Sequence, residues 1–404
     1  MNHIVIIGSG HAGLTLAREL RLKDADCKIT LLSKDTICAY YKPNLSKALY
    51  SGKTADQLIL KTEAAISSDL KLCCISHAEL IDIDSAHQIC TFQSSENQTI
   101  HTIHYEKLVL AMGASPIRLP SSVAKTNKIL AINSLNDYRL FRSQLEDKKS
   151  VAIIGAGYIG CELASDLSSQ GYKVSIIDRG AWPLSRAVPE ALGSIIQDAM
   201  MAQQNISWYL GKTLESIEEE NNKFIINLSS EISLEVDLVI SAIGLQANTG
   251  LAKKIGAKTG LGIQVDSFSQ TNMPNIYALG DCAEYQEKLL PFIAPITVAA
   301  KLLARTLLGE ASELILPANA VPVKISACPT VICPSSENRG IWEVKGSGSD
   351  LEAHFLNEFG ELTGFALTGA AIARKMELLK VCKGLLAPSI PVFINKNSAL
   401  SQAS

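Results

Sequence analysis

No run of lysines and arginines in this sequence is dense enough to mark a nucleic-acid surface, and a formal net charge of -3 supplies no basic excess. No apolar stretch is long and clean enough to span a bilayer. The most apolar one, PFIAPITVAAKLLARTLL (291–308), is broken by Pro295, Lys301 and Arg305. The opening MNHIVIIGSG holds neither a basic leader nor a cleavable apolar segment, so no signal peptide is expected. Ten cysteines are present but scattered, with no C-x-x-C knuckle for zinc and no regular disulfide framework. A soluble protein in a reducing cytoplasm is the expectation. With 404 residues, 47% apolar and 19% charged, the chain has ample core for two or three domains.

What is present is one unit, twice. Ile4-Val5-Ile6-Ile7 runs into Gly8-Ser9-Gly10-His11-Ala12-Gly13, then a helical pattern, LTLARELRLKD, then a second apolar run, KITLL (28–32). At 151 the order repeats: VAII, then Gly155-Ala156-Gly157-Tyr158-Ile159-Gly160, then CELASDLSSQGY, then KVSIID (173–178). Each is a strand, a glycine turn, a helix and a strand, the context in which G-x-G-x-x-G binds a dinucleotide. The first glycine allows the tight bend, the second lets backbone N–H groups approach a pyrophosphate, and the third lets helix and strand pack closely. The anion then sits at the positive end of the helix.

The two copies differ at the end of the second strand, where a carboxylate binds a ribose hydroxyl. Asp178 stands there in the second copy and suits the free 2′-hydroxyl of NAD, although Arg179 follows it; a turn residue before Gly180 is the plainer alternative. The first copy has Ser33, followed by Lys34, and Ser33 can only hydrogen-bond weakly. Two further apolar strands, in EKLVLAMGASP (106–116) and VDLVISAIGLQAN (236–248), end in Ala-x-Gly, at Ala111 to Gly113 and at Gly244. A third, in TNMPNIYALGDCAE (271–284), runs into Gly280-Asp281, where a carboxylate at the end of a buried strand needs hydrogen-bond donors such as a polyhydroxylated ligand offers.

Together these segments resemble the flavoprotein superfamily with two dinucleotide-binding domains, which uses FAD and NAD(P)H, over residues 1 to about 315. Within it the chain is most similar to bacterial rubredoxin–NAD+ reductases, on IVIIGSGHAG, YYKPNLSKAL, GAGYIGCELASDLSSQGY, SAIGLQAN, NIYALGDCAE, VPVKISACP and GFALTGAA. Flavorubredoxin reductases look similar in several of the same places. The resemblance implies an α/β fold: two Rossmann-like three-layer domains, the NAD domain (116–247) inserted in the FAD domain (1–115 and 248–315), plus a small α+β C-terminal interface domain (316–404). It implies that Gly8, Gly10 and Gly13, with His11 and Ala12, hold FAD, and that Gly155, Gly157 and Gly160, with Tyr158 and Ile159, hold NADH. Asp281 is implied on the flavin ribitol, and the strands ending at Gly113 and Gly244 as the links between domains.

The implied activity is an enzyme's: hydride from NADH to FAD, then single electrons to rubredoxin or a similar small iron protein, in alkane oxidation. Glu162 is implied at the nicotinamide and the flavin. A lysine from AYYKPNLSKAL (39–49) is its expected partner: Lys42, next to Pro43, or Lys47. A cation there would favour anionic reduced flavin. The helical pattern from Thr297, after Pro295 and Ile296, is expected to aim its N-terminus at the flavin, and Lys324 is expected to reach the flavin or the docking surface. Plainer roles compete, with Glu162 serving the helix dipole and the lysines lying solvated. Where related flavoproteins keep a redox cysteine pair, Cys38 stands alone. Cys328 and Cys333 have a Cys-x4-Cys spacing, but too late in the chain, and on a strand they face opposite ways. The alternatives are a flavorubredoxin reductase, a ferredoxin reductase for a cytochrome P450 or other oxygenase, or an NADH-responsive binding protein. The oligomeric state is left open, a monomer included.

Overall fold

The computed structural model describes residues 3–386 apart from residue 204, so 387–404, the end of the expected third domain, lies outside the described residues. The first sheet has five parallel strands in the order Ile276–Ala278, Lys107–Leu110, His3–Ile7, Lys28–Leu32, Cys73–Ile75. His3–Ile7 and its neighbours read as unbroken apolar runs because helices and loops cover both faces of a parallel sheet; Ile4, Val5 and Ile6 are fully buried. Helix His11–Lys23 joins the first two strands and packs along helix Ile293–Leu307.

The second unit repeats the pattern with four parallel strands, in the order Ile206–Leu210, Lys173–Asp178, Ser150–Ile154, Leu238–Ser241. Helix Tyr158–Ser169 follows its glycine turn. Each unit also carries a three-stranded antiparallel sheet, Ala78–Asp84 with Ile89–Ser94 and Ile100–His104 in the first, Leu214–Glu220 with Lys223–Leu228 and Ile232–Val236 in the second. The chain enters and leaves the second unit along one antiparallel pair, Ala114–Pro116 with Leu245–Ala247. Asn248 clamps this pair, donating to Met112 O and accepting from Ser115 Oγ, both at 2.8 Å. The second unit is thus an insertion in the first.

A five-stranded antiparallel sheet follows, in the order Val321–Val323, Thr330–Cys333, Leu362–Thr368, Asp350–Leu356, Ile341–Ser347, with helix Lys375–Val381 behind it. Ahead of helix Lys375–Val381 the chain makes a 3-10 turn, Gly369–Arg374, because the strands hold it: Asp350 accepts Ala370 N at 2.8 Å, and Arg374 grips Glu352 at 2.6 Å. One helical expectation shifts. The helix expected from Thr297 begins at Ile293, four residues earlier, since Pro295 is its third residue and an N–H there has no partner to lose.

The stretch 39–49 is no free loop. Lys42–Lys47 is a 3-10 helix, and Leu45, Ala48 and Leu49 sit in one apolar cluster with Val151, Ala164 and Leu167 of the second unit and Val323, Ile325 and Ile332 of the third. All three units therefore share a core at this point. Among the described residues, no helix is long and apolar enough to cross a membrane.

Candidate functional site

The two glycine turns are built alike. Gly8 has φ +109° and Gly155 +111°, the left-handed side that glycine alone tolerates. A Cβ on Gly13 would lie 1.9 Å from Gly8 O, and one on Gly160 1.9 Å from Gly155 O, so helix and strand touch through bare backbone. Around Gly10 and Gly157, by contrast, there is open space, and neither helix that starts beyond them is capped by a side chain. Each turn thus presents uncapped N–H groups at a helix N-terminus to a gap, which fits an anion such as a pyrophosphate. Ile159 is exposed beside the second gap, while Tyr158 turns inward and burial raises its phenol.

Beside the first gap, Ala12 packs 2.7 Å from where a Cβ on Gly280 would stand, which brings Asp281 to the helix N-terminus. The Asp281 carboxyl is raised by desolvation, against the opposing charges of Lys42 and His11. Lys42 is lowered by desolvation, against the charge of Asp281. Each member of this pair stabilises the other's charge, and no hydrogen-bond donor among the described residues meets the carboxylate. A half-buried acceptor without donors fits the hydroxyls of a ribitol chain. His11 Nε2 meets Thr297 Oγ1 at 3.0 Å, tying this N-terminus to the uncapped N-terminus of Ile293–Leu307, where Pro295 and Ile296 are buried. Two helix N-termini, Asp281 and the charge of Lys42 therefore meet in one region, and these residues fit FAD.

Glu162 is 4% exposed, two residues past Gly160, and three donors meet it. Lys324 Nζ is 2.8 Å from Oε2, Lys324 N donates to Oε1 at 3.0 Å, and Ser46 Oγ donates to Oε2. The Lys324 ammonium also donates to Pro43 O and to Ser46 Oγ, the latter at 2.9 Å. The expected pairing of Glu162 with Lys42 or Lys47 is therefore corrected: Lys324 makes it. Lys42 acts instead by its charge on Asp281, and Lys47 by its charge on Asp166. Distance along the chain hid the pairing of Lys324 with Glu162, for the sheet that leads to Lys324 returns to the site only after 162 residues. Ser46 gave no signal of its own. Asp166 gave one, because it stands one helical turn past Glu162 on the same face.

At the second ribose position, Asp178 accepts Ala156 N at 2.7 Å and Gly180 N at 2.6 Å, so the carboxylate lies against the turn, and Arg179 is exposed. Ser33 is buried and receives Ser9 Oγ at 2.9 Å and Asp35 N at 3.3 Å, with Lys34 exposed beside it. Ala111 abuts Gly8, and Gly113 and Gly244 turn the chain with positive φ. Among the described residues no two cysteines are joined by a disulfide. Cys328 and Cys333 fall in different apolar clusters, and Cys333 instead faces Cys382, Sγ to Sγ at 4.0 Å.

Residues 2–300 match the Pyridine nucleotide-disulphide oxidoreductase family, and residues 313–382 match the Rubredoxin binding C-terminal domain. The chain is 36% identical over 385 residues to the rubredoxin-NAD(+) reductase of Alcanivorax borkumensis, covering 94% of this chain and 98% of that one. It is 34% identical over 380 residues to the nitric oxide reductase FlRd-NAD(+) reductase of Escherichia coli, covering 94% and 98%. Among solved structures, the ferredoxin reductase for the CYP199A2 system of Rhodopseudomonas palustris superposes with a TM-score of 0.84 at 25% identity, covering 95% of this chain and 96% of that one. With the family model matched over residues 2–300 and a rubredoxin-NAD(+) reductase 36% identical over nearly the whole chain, the chain belongs to the pyridine nucleotide-disulphide oxidoreductase family, as a relative of the rubredoxin-NAD(+) reductases.

Proposed function

We propose that this protein takes hydride from NADH onto FAD and passes the electrons singly to rubredoxin. The observation that carries the reading is the junction at Glu162. Its carboxylate comes from the helix of the NAD turn, Pro43 and Ser46 from the first unit, and Lys324 from the domain that matches rubredoxin-binding domains. The nucleotide half of the reaction and the partner half are thus built around one buried ion pair.

Bound FAD supplies the change from two-electron to one-electron chemistry; the chain's own task is to bind, orient and charge-balance. The N–H groups at Gly10 and Gly157 are the pyrophosphate seats, with Ala111 and Gly113 at the rim of the first. Asp178 faces the ribose of NADH and disfavours a 2′-phosphate, which makes NADH the preferred donor. Asp281 holds the ribitol, and Lys42 with the N-terminus of Ile293–Leu307 places positive potential where negative charge accumulates on reduction. Glu162 and Lys324 shape the face where the nicotinamide enters. Ser33 takes the first ribose through a hydroxyl rather than a carboxylate.

The acceptor side rests on the same junction. Rubredoxins are acidic, and Lys42, Lys47 and exposed Lys53 lie along the 42–53 segment, a basic rim for a brief, small interface. Lys324, committed to Glu162, contributes to the rim only with the quarter of its side chain that is exposed, 26%. Ten cysteines outside any disulfide suit a reducing cytoplasm, and alkane oxidation is the pathway the rubredoxin reading favours. The domain limits we propose are 1–115 with 248–315, 116–247, and 316–404. The deciding experiment gives NADH-reduced protein rubredoxin, a two-iron ferredoxin and a disulfide substrate in turn. Rubredoxin should be fastest by a wide margin; a faster ferredoxin would move the protein to an oxygenase system, and slow turnover with both would make it a binding protein.

A further inference from the structure

Asp166 is a buried carboxylate that the scheme above does not use. It is 5% exposed, on helix Tyr158–Ser169, one turn beyond Glu162. Its two oxygens accept two consecutive amides of the first unit, Leu49 N to Oδ2 at 3.1 Å and Tyr50 N to Oδ1 at 3.0 Å. These amides lie just past the 3-10 helix Lys42–Lys47, whose Ser46 and Pro43 meet Glu162 and Lys324. One helix face therefore grips one segment of another domain at two points, Glu162 at its middle and Asp166 at its end. We infer that Asp166 is a positioning residue for hydride transfer, an ionisable latch that holds the 42–50 segment in register with the Glu162–Lys324 pair.

The latch works by charge state. A carboxylate can accept both amides, one on each oxygen, whereas a protonated carboxyl turns one oxygen into a donor and loses a good acceptor. Burial raises the Asp166 carboxyl to about 6, against the two amides and the charges of Lys47 and Lys324. Releasing the amides from a carboxyl that stays buried raises it further, so ionisation favours the closed latch, even though against the solvated unfolded chain it lowers global stability. The charged and titratable groups around it are Lys47 from the gripped segment, Lys324 from the third domain, Glu162 on its own helix and Tyr138 from helix Leu135–Gln144, whose raised phenol feels Asp166 last among its causes. When the latch opens, Lys42 and Ser46 lose their register with the second unit, and misplacement of about 1 Å at a reacting site can cost about a hundredfold in rate.

The inference rests on the hydride-transfer reading, so the test has one arm that needs no NADH. Hydrogen exchange of the Leu49 and Tyr50 amides is measured in the FAD-loaded full chain from pH 5 to 7.5, with flavin reduction by NADH followed by stopped flow over the same range. In the wild type, protection of both amides should rise by about tenfold across pH 6, since exchange reports local opening, and reduction should rise with it. Asp166→Asn should lose both inflections and reduce about tenfold more slowly at pH 7.5, with NADH saturation little changed, the signature of lost positioning rather than lost binding. Asp166→Glu, which keeps the carboxylate, should restore the inflections in part. Unchanged amide protection in Asp166→Asn overturns the latch, and lost protection with an unaltered rate and pH profile overturns the positioning role. If Asp166→Asn does not accumulate as a flavoprotein, a wild type without a shared inflection overturns the inference. A wild type that NADH cannot reduce refutes the proposed function instead, and the exchange arm still decides the latch.

Discussion

Lys324 and Glu162 show how one ion pair concentrates risk. Glu162 has 5% of its side chain exposed and holds a full charge against three donors, so removing the ammonium leaves that charge buried. Lys324→Met should destabilise the protein by about 3 kcal/mol, while Lys324→Met with Glu162→Gln should recover a good part of it, because an unpaired buried charge costs more than an absent pair. Urea unfolding of the four proteins in a double-mutant cycle measures the coupling; a double variant as unstable as the lysine variant would show that the pair is not the source. Asp178 yields a second residue-scale expectation. Asp178→Ser should reduce the preference for NADH over NADPH by about tenfold or more, since like charges in contact cost several kcal/mol. Comparing kcat/KM for the two donors reads this directly. Residues of this kind were legible when the motif itself named them, as with Glu162 and Asp178. Lys324's partner was not, because a spacing along the chain says nothing about a contact 162 residues away.

At the scale of elements, the glycine turns separate packing from binding. In Gly13→Ala the new methyl would meet Gly8 O at 1.9 Å, backbone against backbone, and the turn must open. A loss of about 3 kcal/mol or more is expected, at the top of the range for overpacking. Gly10→Ala places its methyl in open space, so the fold should survive while FAD content falls. Thermal melts with flavin absorbance distinguish the two, and equal Tm losses would contradict the division. Helix Tyr158–Ser169 carries the pH-dependent element. The Asp166 carboxyl rises from an ordinary 3.8 to about 6, so the folded state holds its proton more tightly than the unfolded one. That stabilisation is complete below pH 3.8 and is lost as pH climbs through 6, so this residue makes stability fall between those values. Asp166→Asn should flatten that part of the pH–stability curve; a retained slope would place the proton elsewhere.

For the whole molecule, the nesting of units decides what can be exchanged with solvent and partner. The shared apolar cluster joins Leu45, Val151 and Val323, so the nucleotide units and the C-terminal domain cannot separate without exposing core. Electrons must therefore leave near the junction rather than through a swinging domain. Among the described residues no thiol pair stands there: Cys38 is buried alone, and Cys73 is exposed at the first sheet's edge strand. Alkylation of the accessible thiols should leave NADH–rubredoxin turnover unchanged, and a loss would reveal a cysteine in the path. The rate with rubredoxin should fall as ionic strength rises past the point where the screening length is about 10 Å.

The sequence by itself determined the two Rossmann-like units and their order, because local periodicity and glycine spacing encode strand, turn and helix within thirty residues. Their nesting was only implied by the family resemblance, and the pairing of Ala114–Pro116 with Leu245–Ala247 displays it. It also marked Asp281 and Asp178, each at a strand end where a carboxylate needs a reason. The small antiparallel sheets were less legible, since strands such as Lys223–Leu228 alternate buried and half-buried positions without a motif. Only the tertiary structure decided that Lys324 rather than Lys42 or Lys47 neutralises Glu162, and that Asp166 reaches back to Leu49 and Tyr50. Those choices depend on how three separately folded surfaces meet, and the energy of such a meeting is a sum over contacts that no local pattern contains.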